Sequence, residues 1–140
     1  MKKQISKNIV VAGKRKTAIA KATIKQGTGI LRINKKPVEV FNYFQQLALK
    51  EPFSLVSKIL GDELNKIDIN IVVHGGGTES QIEASRLAIA RALLAYFKKA
   101  EIRKTFLSYD RTLLVADVRR KEMRKPNDSK ARASRQKSYR

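Results

Sequence analysis

The run His74-Gly75-Gly76-Gly77 is where residue types and spacing first suggest chemistry. Three readings compete. Glycines ahead of Thr78-Glu79-Ser80-Gln81 could expose main-chain N–H groups at a helix N-terminus, where the helix dipole also favours a phosphate. A His-Gly-Gly-Gly run also serves as the oxyanion half of some esterases. Or the glycines only permit a tight turn from strand to helix. The esterase reading fails on inventory. There is no Gly-x-Ser-x-Gly elbow, and His74 is the single histidine, already spent in the motif. No Gly-Lys-Ser/Thr follows and no Gly-x-Gly-x-x-Gly occurs, so the nucleotide-binding loops fail as well. The turn and the phosphate contact both stay open.

The remaining inventory narrows the function further. The 140 residues suit one domain and include no cysteine, which excludes disulfides, thiolate metal sites and cysteine nucleophiles. One histidine cannot make a paired-histidine metal site, so neither a metal nor a cofactor is expected. The formal charge is +19, from 31 basic and 12 acidic residues, and it is unevenly spread. Residues 1–25 hold eight basic and no acidic residues, and residues 119–140 hold ten basic and two acidic. The middle, with 13 basic and ten acidic residues, is nearly balanced. Such a body folds without self-repulsion, while its ends call for an external polyanion. No apolar stretch approaches the ~20 residues of a membrane helix, and Met1-Lys2-Lys3-Gln4-Ile5-Ser6-Lys7 leads into no secretory signal.

Two basic segments are therefore candidate sites. Gly13-Lys14-Arg15-Lys16-Thr17 sets three cations beside a glycine, which suits a backbone-phosphate contact. It equally suits a solvated basic edge that discourages strand pairing. The tail carries Arg119, Arg120, Lys121, Arg124, Lys125, Lys130, Arg132, Arg135, Lys137 and Arg140. A solvated tail or a nuclear-targeting run would look similar. An arm that orders in an RNA groove is the functional alternative, since arginine forks bind phosphate bidentately and stack on bases. Tyr139 could stack as well. Arg86 and Arg91, on the long helix described next, are read as facing outward, toward RNA or water.

The elements that must position these groups follow from periodicity. Residues 9–25 read as one long strand, with Ala18, Ala20, Ala22 and Ile24 alternating with Thr17, Ile19, Lys21, Thr23 and Lys25. Gln26-Gly27-Thr28-Gly29 turns into a short strand Ile30–Ile33, and the two strands are predicted to form a hairpin. Asn34-Lys35-Lys36-Pro37 turns again. Residues 38–49 read as one or two helical turns. A second helix is predicted from Pro52, with Leu55, Val56, Ile59 and Leu60 as its stripe and Gly61 as its stop. Ile67, Ile69, Ile71 and Val73 mark a strand, with Val72 adding burial on the other face. Thr78 and Gln81 read as a capping box opening a helix to about Lys99. Ile82, Ile89, Leu93 and Phe97 form the buried face of that helix. Ala84, Ala88 and Ala92 allow close packing on a sheet. A turn or two of helix covers 102–109, and Thr112–Ala116 reads as a last strand. The fold class is thus an α/β (α+β) two-layer sandwich, a four-stranded sheet with packed helices. Residues 1–118 form the body and residues 119–140 an extended basic C-terminal tail. The tail is too apolar-poor to order without RNA. Fully stretched, at about 3.3 Å per residue, it would reach roughly 70 Å.

Three segments together resemble the universal small-subunit ribosomal protein S-nine family. They are Gly13-Lys14-Arg15-Lys16-Thr17-Ala18-Ile19-Ala20-Lys21-Ala22, then Gly75-Gly76-Gly77-Thr78-Glu79-Ser80-Gln81-Ile82-Glu83-Ala84 continuing through Ala88, Ala90, Arg91, Ala92 and Leu93, and last Ala131-Arg132-Ala133-Ser134-Arg135-Gln136-Lys137-Ser138-Tyr139-Arg140. The ending resembles archaeal and eukaryotic members. Asn127-Asp128-Ser129-Lys130 departs from the glycine that such relatives often carry. The resemblance implies a fold similar to the second domain of ribosomal protein S-five, with a left-handed crossover that general rules would not suggest. It implies a non-enzymatic, RNA-binding constituent of the cytoplasmic ribosome, placed in the small-subunit head, with neighbouring head proteins as partners and neither membrane nor small-molecule substrate. The ribosomal-RNA set would be Lys14, Arg15, Lys16, Lys21, Gly75, Gly76, Gly77, Arg119, Arg120, Lys121, Arg124, Lys125, Lys130, Arg132 and Arg135. The family's terminal arginine meets the P-site transfer RNA anticodon stem-loop, which maps to Arg140 with Lys137 and Tyr139 beside it. The rival readings are a free RNA chaperone, which fractionation from ribosomal particles would reveal, and a hydrolase using His74, which would need a nucleophile and base that the sequence lacks.

Overall fold

A computed structural model describes residues 8–127 and 130–139. Among these, β1 (Ile9–Arg15), β2 (Ala18–Gln26), β3 (Leu31–Ile33), β4 (Lys36–Pro37) and β5 (Ile67–His74) form one sheet in the order β1-β2-β5-β3-β4. Three helices, α1 (Tyr43–Leu60), α2 (Thr78–Phe97) and α3 (Ala100–Tyr109), complete the mixed sandwich. The sheet has five strands rather than four, because the predicted long strand is two. Lys16 turns left-handed at φ 51° and folds the chain back, so that Arg15 pairs with Ala18 and Ile9 with Ile24. The period-two pattern runs across this turn without a break, which is why the sequence hides it.

The predicted hairpin between the second strand and Leu31–Ile33 does not form. β5 lies between them, antiparallel to β2 and parallel to β3. The Gly27–Ile30 loop wraps the start of β5 instead. Asp68 accepts from the N–H groups of Thr28 (2.8 Å) and Ile30 (3.1 Å), and Gly27 N–H donates to the carbonyl of Lys66. Beyond β3 the Asn34 side chain prolongs the ladder. It donates to the Val73 carbonyl at 3.0 Å and accepts from the Val73 N–H at 2.9 Å.

Three further expectations are corrected. The helix foreseen from Pro52 begins nine residues earlier, at Tyr43, with Pro52 inside it. An interior proline costs about 3 kcal/mol. Leu49, Pro52, Val56 and Leu60 all bury on one continuous face, and that burial wins. Gly61 does end the helix, at φ 48°. The Thr78 capping box is absent: Gly77 is the N-cap and no side chain bonds there, while Gln81 Nε2 reaches back to the Gly75 carbonyl at 3.0 Å. Residues 112–116 are not a strand. Asp110 accepts from the N–H (2.8 Å) and hydroxyl (2.6 Å) of Thr112 and nucleates a 3₁₀ turn, Arg111–Leu113, whose Leu113 is fully buried. Local capping overrides β propensity here.

The core lies between the sheet and α2. Ala18, Ala20, Ala22 and Ile24 meet Ile67, Ile69, Ile71, Val73 and the helix residues Ala84, Ala88, Ile89, Ala92 and Leu93. Small residues on both layers let α2 approach closely. The limit is reached at Gly13, where a Cβ would sit 2.3 Å from the Ala84 carbonyl oxygen and 2.7 Å from the Ala88 nitrogen. Gly13 thus serves helix packing. The other face of the sheet is open. Val72, expected to add burial there, is 61% exposed.

Arg86 and Arg91 do not face outward. Arg86 bonds Glu51 of α1 and Asp110 beyond α3 (3.1 Å), which ties three helical segments together. Arg91 donates to the carbonyls of Leu114 (2.9 Å) and Ala12 (2.8 Å). Phe97, foreseen as core, is only partly buried, whereas Phe106 is completely enclosed. Phe106→Ala should therefore cost about 3–5 kcal/mol, and Phe97→Ala clearly less, as read by urea unfolding of the free protein.

Candidate nucleic-acid interface

The β1–β2 turn, the glycine run and the start of the tail come from distant parts of the sequence and meet in space. Lys14, Lys16, Thr17 and Ile19 line one open groove with Arg119, Arg120 and Lys121. Five of these seven residues are cationic, and no carboxylate lines the groove among the described residues. The glycine run abuts its rim. Gly75 (φ 75°) and Gly76 (φ 66°) are both left-handed, and a Cβ on Gly75 would lie 2.6 Å from the Thr17 carbonyl oxygen. On Gly76 it would lie 3.0 Å from the Ala18 Cβ. The turn reading of these glycines is therefore required by the backbone. That same turn brings the N-terminus of α2, with no side-chain cap, close to the cationic hairpin.

The tail is held at this point by a clasp that sequence reasoning missed. Arg15 bonds Glu83 of α2 on one side and Asp117 on the other. Asp117 also accepts from the Arg119 N–H at 2.8 Å and from Arg119 Nη2 at 2.7 Å. Hydrogen bonds from Arg119, and then from Arg15, hold the Asp117 carboxyl far below the ordinary carboxylate range. Glu83 and Asp117 in turn raise the Arg15 guanidinium. So Arg15, a predicted phosphate ligand, is engaged by two carboxylates, and its neighbours Lys14 and Lys16 are exposed. The available signal was an acidic residue directly before the basic run. Its partner lies 102 positions away, where local pattern is silent.

Of the other predicted residues, Lys21 stands exposed on the open sheet face, in register with Ala12 and Val72. Arg124, Lys125, Lys130, Arg135, Lys137 and Tyr139 are exposed along the tail, which carries no helix or strand in its described part. Arg132 makes a bidentate pair with Glu122 (2.6 and 2.9 Å), closing a loop inside the tail. Arg140 lies outside the described residues. No helix among the described residues is long and apolar enough to cross a membrane.

A mixed sheet packed by helices on one face thus carries, at one end, a groove lined by five cations. The family model for ribosomal protein S9/S16 matches residues 13–140. The small ribosomal subunit protein uS9 of Methanococcus vannielii is 48% identical over 137 residues, covering 96% of this chain and 99% of its own. That of Methanococcus maripaludis is likewise 48% identical over 137 residues, with the same coverage. That of Picrophilus torridus is 46% identical over 136 residues, covering 97% of this chain and all of its own. The chain belongs to the ribosomal protein S9/S16 family, a family of structural rather than catalytic proteins.

The clasp makes a prediction. A carboxylate with a depressed folded pKa contributes stability above its unfolded value, near 3.9, and loses it as pH falls through the folded value. The clasp is thus fully formed at neutral pH and opens only in strong acid. Asp117→Asn should loosen it at pH 7. The expected result is faster tryptic cleavage at Arg119 and Arg120 with little change in the melting temperature of the body.

Proposed function

We propose that this chain is a structural constituent of the small subunit of the cytoplasmic ribosome, seated on ribosomal RNA in the subunit head. The observation that carries this reading is the groove. Five cations from opposite ends of the sequence gather there without a lining carboxylate among the described residues, beside a middle, residues 26–118, whose own charge is nearly balanced. Phosphates resolve the mutual repulsion that the fold enforces. Lys14, Lys16, Arg119, Arg120 and Lys121 would hold the RNA backbone, with main-chain N–H groups around Gly75, Gly76 and Gly77 beside them. Arg15 acts from behind as the strut that sets their geometry. Arg124, Lys125, Lys130, Arg132 and Arg135 then track RNA along the tail. Arg132 exchanges Glu122 for phosphate, an exchange that is cheap because an exposed ion pair is worth only about 0–1 kcal/mol.

The far end of the tail is proposed to steady the P-site transfer RNA at its anticodon stem-loop through Lys137, Tyr139 and Arg140. Tyr139, 89% exposed, has its ring free of neighbouring core and is suited to stack on a base. Contacts with neighbouring head proteins fit another surface. Val40, Tyr43, Phe44 and Leu47 are all exposed around the start of α1 and present apolar area rather than cations.

Measurements on particles, RNA and a truncated tail test this. The protein should sediment stoichiometrically with small subunits at moderate salt, and its affinity for ribosomal RNA should fall steeply with salt. Absence from the particles would point to a free RNA chaperone. Deleting Tyr139 and Arg140 should leave the melting temperature of the free protein unchanged. It should weaken P-site transfer RNA retention on purified subunits, and retention equal to wild type would remove the proposed role of the tail's end.

A further inference from the structure

The sheet has one face packed by helices and one face bare, and the bare face is chemically organised. Alternation puts Val10, Ala12 and Lys14 of β1 on it, Ile19, Lys21, Thr23 and Lys25 of β2, Asp68, Asn70, Val72 and His74 of β5, and Arg32 of β3. Nothing among the described residues covers its middle, since Val10 is 63% and Val72 61% exposed. Lys21 and Lys25 lie about 13 Å apart along β2, and Arg32 is two strands over, about 10 Å away. Between them the paired Thr23 and Asn70 offer a hydroxyl and an amide. Asp68 is the one acidic residue in any described strand; its carboxylate accepts from the N–H groups of the Gly27–Ile30 loop and stands across from Lys25, which leaves Lys14, Lys21 and Arg32 with no carboxylate opposite them in the sheet. Lys14 and Ile19 belong to both this face and the cationic groove, so the two surfaces are continuous.

We infer that this open face is a second docking surface, for the sugar-phosphate surface of base-paired RNA. Charge selects a polyanion: four cations stand on the face against one internally satisfied carboxylate. The side-chain types then select its form. Sheets that read single strands stack splayed bases on several aromatic side chains, whereas among the described residues no Phe, Tyr or Trp projects from this face and its one ring, His74, stands at the end of β5 rather than in the middle. What it has instead are short polar groups and extended lysines on a broad, gently twisted platform. Those complement the wide, shallow minor groove of A-form RNA, lined by 2′-hydroxyls and flanked by phosphates. The groove and tail hold the RNA by charge, and the sheet adds a preference for duplex.

This rests on the ribosomal RNA reading above, and the experiment separates the two. The full chain, the triple variant Lys21→Gln/Lys25→Gln/Arg32→Gln and the single variant Val72→Glu are titrated with a short RNA duplex and with one of its strands across a salt series. Wild type should favour the duplex. The triple variant should lose that preference and lower the duplex salt slope by about 2–3, as loss of three phosphate contacts requires, with a smaller change on the single strand. Val72→Glu places a carboxylate opposite Lys21, which favours the fold while occupying the lysine, and should shift duplex binding the same way. Equal losses on duplex and strand, or none, would overturn the sheet-face proposal alone. Wild type binding neither RNA would overturn the ribosomal RNA reading with it.

Discussion

Cations brought together repel, and the group of them that lines the groove is held in place by the triad Arg15–Asp117–Arg119. Asp117 sits between two guanidiniums and fixes where the tail leaves the body. Glu83 fixes the other side of Arg15 to α2. That helix can lie against β1 only because Gly13 has no side chain. Packing, clasp and groove are therefore one construction. The apolar core positions α2 on the hairpin, α2 supplies the carboxylate that steadies Arg15, and Arg15 anchors the first residues of the tail beside Lys14 and Lys16. The free energy that keeps like charges together comes from burial elsewhere.

The acidic residues show how the charge is divided. Glu51 and Asp110 hold Arg86, Glu83 and Asp117 hold Arg15, and Glu63 holds Lys99. Three arginines of the body, Arg15, Arg86 and Arg91, are architectural, because a planar fork can bridge two carboxylates or two carbonyls at once. Most lysines, the tail arginines and Arg32, Arg103 and Arg111 are left to the surface. A charge of +19 is thus not a uniform coat. Internal pairing uses up the acids where the fold needs them and leaves particular surfaces with no carboxylate.

How much of this could be read from residues alone depended on whether the controlling interaction was local. β5 and α2 were legible because their periods are unbroken and their burial follows them: Ile67, Ile69, Ile71 and Val73 inward, Ala84, Ala88 and Ala92 against the sheet. Gly61 was legible as a stop because a left-handed residue ends the helix there. The turn at Lys16 was not, since a lysine at φ 51° carries no composition signal and the alternation passes through it. Nor was the insertion of β5 between β2 and β3, which tertiary pairing decides. At the candidate site the cationic segments were legible as charge, but their convergence was not. Arg15 read as a ligand and is engaged as a strut, because its partner is 102 residues distant.

The two faces of the sheet carry the last step. A two-layer sandwich needs only one buried face, and here that requirement is met by alanine and isoleucine packed against α2. The opposite face is then released from any demand of stability and can be shaped by contact alone. Had it served only as a solvated surface, mixed charges would suffice, since opposite charges paired across strands stabilise a sheet. Instead Lys21 faces Ala12 and Val72, and Arg32 faces Asn70, so neither cation has a partner of opposite sign directly across the sheet. Lys25 alone meets a carboxylate across the strands, that of Asp68, which the Gly27–Ile30 loop already engages, so the charge of Lys21 and Arg32 is left to be matched from outside.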